Sequence, residues 1–397
     1  MRRKIIIIVV LIFLTSFKII YAEGLDDVIK MQEDSLGITD FIQESNKYTE
    51  DLFSNMDMQD LFKDALRGKI DNRAISKCFF QIFGKEIRNT ITIFASIILI
   101  IVINSILNCI TEGLENKSIS QIAFFVQYIL IVTIILTNFS NIIDSVREAV
   151  NNMTDFCNML IPIMMTLIIS TGSITTASII EPIIVFMISL ISNFINNVAI
   201  PIVLISTALG IVSKLSDKVQ IDKLAKRLKS SALWIIALIM TIFVTVVSVN
   251  GNLTGRVDAV ASKTAKTAVS NLIPFVGKIL GDAMDSVLSC GSLLKGAVGT
   301  IGTIVIIAIS ITPIIKLLLM MGIYYLGAAV CEPIADKKIV SLLDHMGDTF
   351  KILLAILCSM SIMVIIGLTL TVKISNINGI GWGKKRKKLI EEIKWIV

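Results

Sequence analysis

The chain has 397 residues, of which 54% are hydrophobic and only 17% are charged, and its formal net charge is +6. A soluble domain of this composition would expose large apolar patches and aggregate. Several charge-free runs reach about 20 residues, the length of helix that crosses the roughly 30 Å hydrocarbon core of a bilayer. The composition therefore predicts an all-α, polytopic integral membrane protein and excludes a soluble fold.

The first segment, residues 1–22, has the pattern of a secretory signal peptide. The basic start MRRK precedes the apolar run IIIIVVLIFLTSF, and Ala22 supplies a small residue for cleavage. An uncleaved signal anchor is the alternative, because Lys18 and Ile20 depart from the usual pattern before a cleavage site. Both interpretations predict that the following residues begin outside the cytoplasm.

Residues 23–89 form a hydrophilic block that carries more acidic than basic side chains. In the stretch TEDLFSNMDMQDLFKDAL, apolar residues recur at helical spacing with polar residues between them. This pattern predicts a small extracytoplasmic helical domain with one apolar face. A partly disordered spacer is the alternative.

Apolar runs predict about seven membrane spans within residues 90–372. Residues 182–213 form a further apolar run that is interrupted by asparagines and Pro201, so a re-entrant pair of half-helices is expected there. Two complete crossings are the alternative, which would give nine spans. The seven predicted spans are 90–110, 121–143, 157–180, 231–250, 297–314, 315–333 and 351–372.

The distribution of Lys and Arg predicts the orientation of these spans. The connector at 214–230 carries six basic residues, and the tail at 373–397 contains KKRKK. Both are expected to face the cytoplasm, which requires an odd number of crossings and places 255–296 outside. The basic tail can also bind anionic lipid. Nucleic-acid binding is not indicated, because the basic cluster lies beside a span and lacks interleaved aromatic residues.

Residues 255–296 are too polar for a span and too apolar for an ordinary aqueous loop. Pro274 ends a predicted helix, because it has no amide donor and disfavours helix in the residue before it. Gly277 and Gly281 would allow a neighbouring backbone to approach, and Asp282 can remain in water. We interpret the segment as an amphipathic, interfacial or re-entrant element on the outer face. A plain surface loop is the alternative.

Several stretches of the membrane region occur in a distinctive order. They are DFCNMLIPIMMTLIISTGSITTAS, IEPIIVF, SALWIIALIMTIFVTVVSVNG, RVDAVASKTAKTAVSNLIPFVGKILGDAMDSVLSCGSLLKGAVGTIG and YYLGAAVCEPIADKKI. Together with the signal sequence and the acidic N-terminal block, they resemble the stage III sporulation protein AE family of endospore-forming bacteria. The resemblance covers roughly residues 90–372, and the tail is longer and more basic than it leads us to expect.

The resemblance implies a non-enzymatic subunit of a channel or secretion-like complex in the mother-cell membrane around the engulfed forespore. Such a complex is needed for spore development after engulfment. The implied partners are other membrane proteins of the stage III sporulation A operon, and stage II sporulation protein Q across the intermembrane space.

The residue types argue against enzymatic chemistry. His345 is the only histidine, which excludes the H-E-x-x-H zinc motif and His-based triads. The predicted spans contain no Asp, and the chain has neither a G-x-x-x-x-G-K-[ST] phosphate loop nor a C-x-x-C pair among its six cysteines. We therefore predict no enzymatic activity, no cofactor and no metal site.

Polar residues within the apolar runs suggest a second class, a secondary transporter or permease for a small solute. Such residues are costly in a membrane and are therefore functional candidates. Small hydroxylated side chains mediate close helix packing or line a polar cavity, and both interpretations remain open. The candidate cavity-lining residues are Ser170, Thr171, Ser173, Thr175, Thr176, Asn196 and Asn197.

Two Glu-Pro pairs, Glu181–Pro182 and Glu332–Pro333, each follow another proline by 20 residues, Pro162 and Pro313 respectively. The equal spacing suggests a diverged inverted repeat of the kind found in transporters, and chance is the alternative. For these pairs, as for the glycines after Pro274, we predict roles in packing and interface geometry.

Overall fold

The computed structural model describes residues 37–49, 58–67, 72–112, 117–215, 221–272 and 277–394. Every regular element within these residues is a helix, which confirms the predicted fold class. In chain order the helices are α1 (Ile38–Thr49), α2 (Met58–Leu66), α3 (Asn72–Glu112), α4 (Lys117–Ser170), α5 (Ile174–Phe194), a π-helical turn (Ile195–Ala199), α6 (Ile200–Leu215), α7 (Asp222–Leu272), α8 (Gly277–Cys331) and α9 (Lys337–Lys394).

Six helical segments in the described part of the chain are long and apolar enough to cross a membrane. The first has 24 residues, and the others have 37 to 46. At 1.5 Å per residue, the longer segments extend roughly 55 to 70 Å, well beyond a hydrocarbon core of about 30 Å. The segments are Phe80–Ile103, Phe125–Ser170, Ile174–Lys214, Lys223–Ala261, Leu288–Cys331 and Lys337–Lys373.

Helix α4 joins the predicted spans 121–143 and 157–180, and the chain turns only within the second of them. The intervening polar residues do not interrupt the helix, because Val146, Val150 and Met153 recur at helical spacing and are fully buried. Of the residues between them, Ala149 is also buried, whereas Glu148 and Asn151 are exposed. Likewise, the predicted spans on either side of Pro313 form the single helix α8. The predicted division into separate spans is therefore wrong at both places.

The predicted re-entrant pair at 182–213 is not formed, because α5, the π-helical turn and α6 make one continuous helical segment. Pro201 lacks an amide hydrogen, so the carbonyl of Asn197 loses its usual donor. The π-helical turn ends two residues before this proline and changes the hydrogen-bonding register. Within the turn, Asn196 Nδ2 donates to Asn151 Oδ1 of α4 at 2.8 Å. The interruption is thus accommodated inside the helix and bridged to a neighbour.

Long-range contacts define two ends of the helix bundle. At the first, Lys229 Nζ of α7 lies 3.4 Å from His345 Nε2 of α9. At the second, Asp258 Oδ1 of α7 accepts a hydrogen bond from the backbone N–H of Thr175 in α5 at 2.9 Å. We call the first the connector end, because α6 and α7 are joined there. The second is the turn end, named for the short turn between α4 and α5.

Helix α9 runs from the connector end to the turn end. His345 lies near its start. Near its other end Val372 packs against Gly299 of α8, and Gly291, two turns earlier in α8, packs against Ser170 at the α4–α5 turn. Because the helix continues into the tail, the basic cluster at 384–388 lies at the turn end, whereas the basic connector at 214–230 lies at the other. The sequence predicted that both face the cytoplasm. The structure disagrees with this prediction. The connector and the tail lie at opposite ends of the bundle, and a helix that crosses the membrane once has its two ends on opposite sides.

Helices α1 and α2 pack onto the bundle through apolar faces, and the face of α2 belongs to the stretch in which the sequence shows helical spacing. Ile38 and Phe41 of α1 and Leu61 and Phe62 of α2 are at most 4% exposed. Both helices contact α8, and α1 also contacts α4. Residues 72–89 belong to the long helix α3 rather than to a small separate domain. The apolar face of α1 and α2 is therefore covered by the chain's own bundle.

Candidate functional site

Lys316 is the only charged residue between Gly296 and Val330 of α8. A charged side chain near the centre of a membrane helix costs about 2.5–3.5 kcal/mol on insertion scales, so it is a functional candidate by default. Lys316 follows Pro313 by one helical turn and is half-buried. We did not single it out from the sequence, although one charge in a long apolar run is a readable signal.

Lys316 lies where two adjoining cavities meet between α1, α3, α4 and α8. The smaller has a volume of about 210 Å³ and the larger about 360 Å³, and both are lined by Lys316 and by Glu86 of α3. We call the two cavities together the Lys316 cleft. Its uncharged polar side chains are Asn89, Thr90, Asn138 and Asn141 in the smaller part and Tyr48, Ser145, Asn152 and Thr312 in the larger part.

Charged side chains of both signs line the cleft. Lys47 and Glu148 join Lys316 and Glu86 in the larger part. Lys47 donates a hydrogen bond to Glu44 at 2.6 Å, which raises the pKa of Lys47 above its ordinary value. Among the described residues, no carboxylate lies within 4.0 Å of the Lys316 ammonium. The cleft therefore presents two lysines, of which Lys47 is paired with Glu44, and two carboxylates, neither of which lies within 4.0 Å of the Lys316 ammonium.

Helix α1 forms one wall of the larger cavity through Lys47 and Tyr48. Aromatic contacts hold this wall in place. The ring centroids of Phe41 and Tyr48 lie 6.1 and 5.6 Å from that of Phe156 in α4, and Phe156 is fully buried. The docking of α1 therefore determines the shape of the cleft.

The turn between α4 and α5 is capped by a carboxylate from α7. Asp258 accepts hydrogen bonds from the backbone N–H groups of Thr175 at 2.9 Å and Thr176 at 2.8 Å. The Thr176 hydroxyl donates to Thr254 Oγ1 at 3.1 Å. Asp258 and Thr176 are at most 2% exposed. A helix N-terminus has unpaired N–H groups and a positive dipole end, and Asp258 satisfies both.

A second buried polar cluster joins α6, α7 and α9 at the connector end. Lys229 Nζ donates to Thr349 Oγ1 at 2.7 Å, and the Thr349 hydroxyl lies 3.3 Å from that of Thr207. With His345, these side chains are at most 6% exposed. Within the described residues, no group of three or more His, Cys, Asp or Glu side chains is arranged to hold a metal ion. The hydrogen bond from Lys229 to Thr349 joins α7 to α9, and the contact between Thr349 and Thr207 joins α9 to α6.

Gly210 of α6 packs directly against the imidazole of His345, and a Cβ atom at this position would clash with the ring. We expect Gly210→Ala to displace His345 from Lys229 and to lower the free energy of unfolding by about 1–3 kcal/mol. The matched control is Gly322→Ala, because a Cβ there would meet no atom within 4 Å. This control should gain about 0.5–1 kcal/mol from its better helix propensity. Thermal unfolding in detergent measures both, and equal changes would contradict the packing.

The predicted cavity-lining residues do not line the Lys316 cleft. Most of them lie at the turn between α4 and α5, where backbone and Asp258 contacts hold them. Asn196 is bonded to Asn151, and Asn197 is exposed. The residues at the turn are Ser170, Thr171, Ser173, Thr175 and Thr176. Whether these residues pack helices or line a polar cavity stays a prediction.

The two Glu-Pro pairs occupy different settings. Glu181–Pro182 lies inside α5, and Glu332–Pro333 lies in the turn after α8. Pro162 lies in α4 and the first pair in α5, on the two sides of a turn. Pro313 lies inside α8, and the second pair directly follows that helix. Equal spacing does not correspond to equivalent positions, so the inverted-repeat hypothesis gains no support.

The predicted outer element at 255–296 consists of the end of α7 and the beginning of α8. Pro274 lies outside the described residues. Gly277, Gly281 and Asp282 lie in the first turns of α8, where only the backbone is described. Their interface roles stay predictions.

Comparison with known proteins finds similarity over most of the chain. The family model for stage III sporulation protein AE matches residues 56–375. The stage III sporulation protein AE of Bacillus subtilis (strain 168) is 29% identical over 301 residues, which are 76% of this chain and 75% of that protein. No solved structure matches. The family match includes Lys316 and Glu86, whereas Lys47 and Tyr48 precede it.

Proposed function

We propose that this chain, which belongs to the stage III sporulation protein AE family, is a non-enzymatic membrane subunit of a channel or secretion-like complex between mother cell and forespore. The family match over residues 56–375 carries the proposal. The chain would reside in the mother-cell membrane that surrounds the forespore. Its partners would be other membrane proteins of the stage III sporulation A operon and stage II sporulation protein Q.

The buried polar clusters support a scaffold role. Asp258 joins α7 to α5, and Lys229 joins α7 to α9. A buried polar group that loses its partner costs about 1–3 kcal/mol, so these contacts oppose sliding of the helices. A bundle with fixed helix positions is suited to hold partner proteins in register.

Charge supports one orientation of the scaffold. The connector at 214–230 carries six basic residues, and short basic loops favour the cytoplasm. The turn end would then face the intermembrane space, together with 255–296 and the basic tail. There the tail would meet anionic lipid headgroups. Partner contacts would involve the turn end rather than the covered face of α1 and α2.

Deletion of the gene in the source bacterium tests the proposed function. We expect sporulation to stop after engulfment, and a plasmid copy of the wild-type chain to restore spores. Cross-linking from the turn end should capture stage II sporulation protein Q. Normal spore yield in the deletion strain, or a growth defect tied to one nutrient, would contradict the proposal.

A secondary transporter for a small solute is the second candidate, and the Lys316 cleft is the observation that favours it. Polar cavities between membrane helices commonly hold the substrates of transporters. Liposomes with the purified chain discriminate between the two candidates. Gradient-dependent uptake by the chain alone would favour the transporter, whereas transport that requires the partner proteins would favour the complex subunit.

A further inference from the structure

We propose that the Lys316 cleft binds a small zwitterionic solute of the amino-acid or short-peptide class. The inference goes beyond the proposed function, because it concerns binding by the chain alone and does not require the complex.

The charges of the cleft indicate the class of ligand. Lys316 and Glu86 line both cavities, and Glu148 and the Glu44-paired Lys47 line the larger one. A purely anionic ligand at Lys316 would be repelled by the two carboxylates, and a purely cationic ligand would be repelled by the lysine. A ligand with one carboxylate and one ammonium group satisfies both signs through charge-assisted hydrogen bonds.

The apolar setting of Lys316 gives a physical reason for a ligand. Within the described residues its ammonium has no carboxylate partner at ion-pair distance, although the helix on both sides of it is apolar. Charges inside membrane proteins are normally paired or line a water-filled cavity. A bound carboxylate would supply the partner that the protein itself does not place there.

The volume and the uncharged lining agree with this class. The larger cavity has a volume of about 360 Å³, near the lower end of the roughly 300–1,000 Å³ typical of small-molecule sites. A side-chain amide both donates and accepts hydrogen bonds, as a peptide group requires. Asn89, Asn138 and Asn141 line the smaller cavity, and Asn152 lines the larger one. The cleft can therefore bind a dipeptide-sized molecule through the charged termini of the ligand and through its neutral peptide group.

Three matched peptides test the proposal on the purified full-length chain in detergent. Glycylglycine carries both charges, N-acetylglycylglycine only the carboxylate, and glycylglycinamide only the ammonium group. Isothermal titration calorimetry should give a dissociation constant for glycylglycine at least about tenfold lower than for either analogue. No heat of binding with glycylglycine at millimolar concentration, or equal affinity for all three peptides, would overturn the proposal.

Two variants connect the binding to the cleft. Lys316→Gln should weaken glycylglycine binding about 10- to 100-fold and abolish its advantage over glycylglycinamide, because the variant no longer pairs with the carboxylate. Glu86→Gln should reduce the advantage over N-acetylglycylglycine, because Glu148 is then the only carboxylate left among the lining residues of the cleft. Lys351→Gln changes an exposed lysine of α9 outside the cleft and should bind like the wild type. Unchanged selectivity in both cleft variants, each with a wild-type melting temperature, would place the peptide elsewhere and overturn the assignment.

Failure of this proposal and failure of the proposed function give different results. A chain that restores sporulation but binds none of the peptides contradicts only the zwitterion site. A chain that binds glycylglycine, but whose deletion leaves sporulation normal, contradicts only the role in the complex.

Discussion

Replacement of Asp258 by alanine is expected to lower the free energy of unfolding by about 2–4 kcal/mol, because two buried backbone N–H groups lose their acceptor. The carboxylate bonds to the N–H groups of Thr175 and Thr176 and is only 2% exposed. Water cannot easily replace it at such a site. Asp258→Asn retains one acceptor oxygen and should lose less stability than the alanine variant.

The matched control for this cap is Asp144→Ala, which removes an exposed carboxylate from α4. Surface substitutions of this kind change stability by about 0.5 kcal/mol or less. Unfolding in a detergent series measures all three variants. If Asp258→Ala and Asp144→Ala unfold alike, the cap does not hold α5 against α7.

Phe156→Ala should cost about 3–5 kcal/mol, as do other truncations of fully buried aromatic side chains. Phe156 is fully buried, and its ring contacts both Phe41 and Tyr48 of α1. Loss of the ring removes the surface on which α1 docks. We therefore expect faster proteolysis at Lys47 in addition to the loss of global stability, because a helix that undocks becomes accessible to protease.

Phe186→Ala is the control for this variant, because the Phe186 side chain is 63% exposed. Its melting temperature and its cleavage at Lys47 should match the wild type. Slow cleavage at Lys47 in Phe156→Ala would contradict the docking of α1 on this ring.

The fold class followed from composition, but the lengths of the helices did not. A hydropathy window of about 20 residues interprets the polar stretch after residue 143 as a loop. The helical spacing of Val146, Val150 and Met153 continues through that stretch, and packing against neighbours favours one helix. At 182–213, Pro201 and the asparagines suggested a chain reversal. A π-helical turn accommodates them instead, and local sequence does not distinguish these two outcomes.

The candidate sites depended on contacts between distant parts of the chain. Asp258 lies in the element that we assigned to the outer face, and it bonds a residue 83 positions away. Glu86 and Lys316 lie on helices that the sequence does not pair. Lys316 alone was recognisable as an isolated charge. The cleft around it required the packing of α1, α3, α4 and α8.

The most direct test of the central claim, that the basic connector and the basic tail lie on opposite sides of the membrane, is thiol labelling. Lys223→Cys and Lys373→Cys are both exposed positions, and each would be introduced into a chain whose six native cysteines are replaced by alanine. With a membrane-impermeant reagent added to one side of sealed vesicles, we predict that only one of the two positions is labelled. Labelling of both positions from the same side would contradict the placement of the start of α7 and the end of α9 at opposite ends of the bundle.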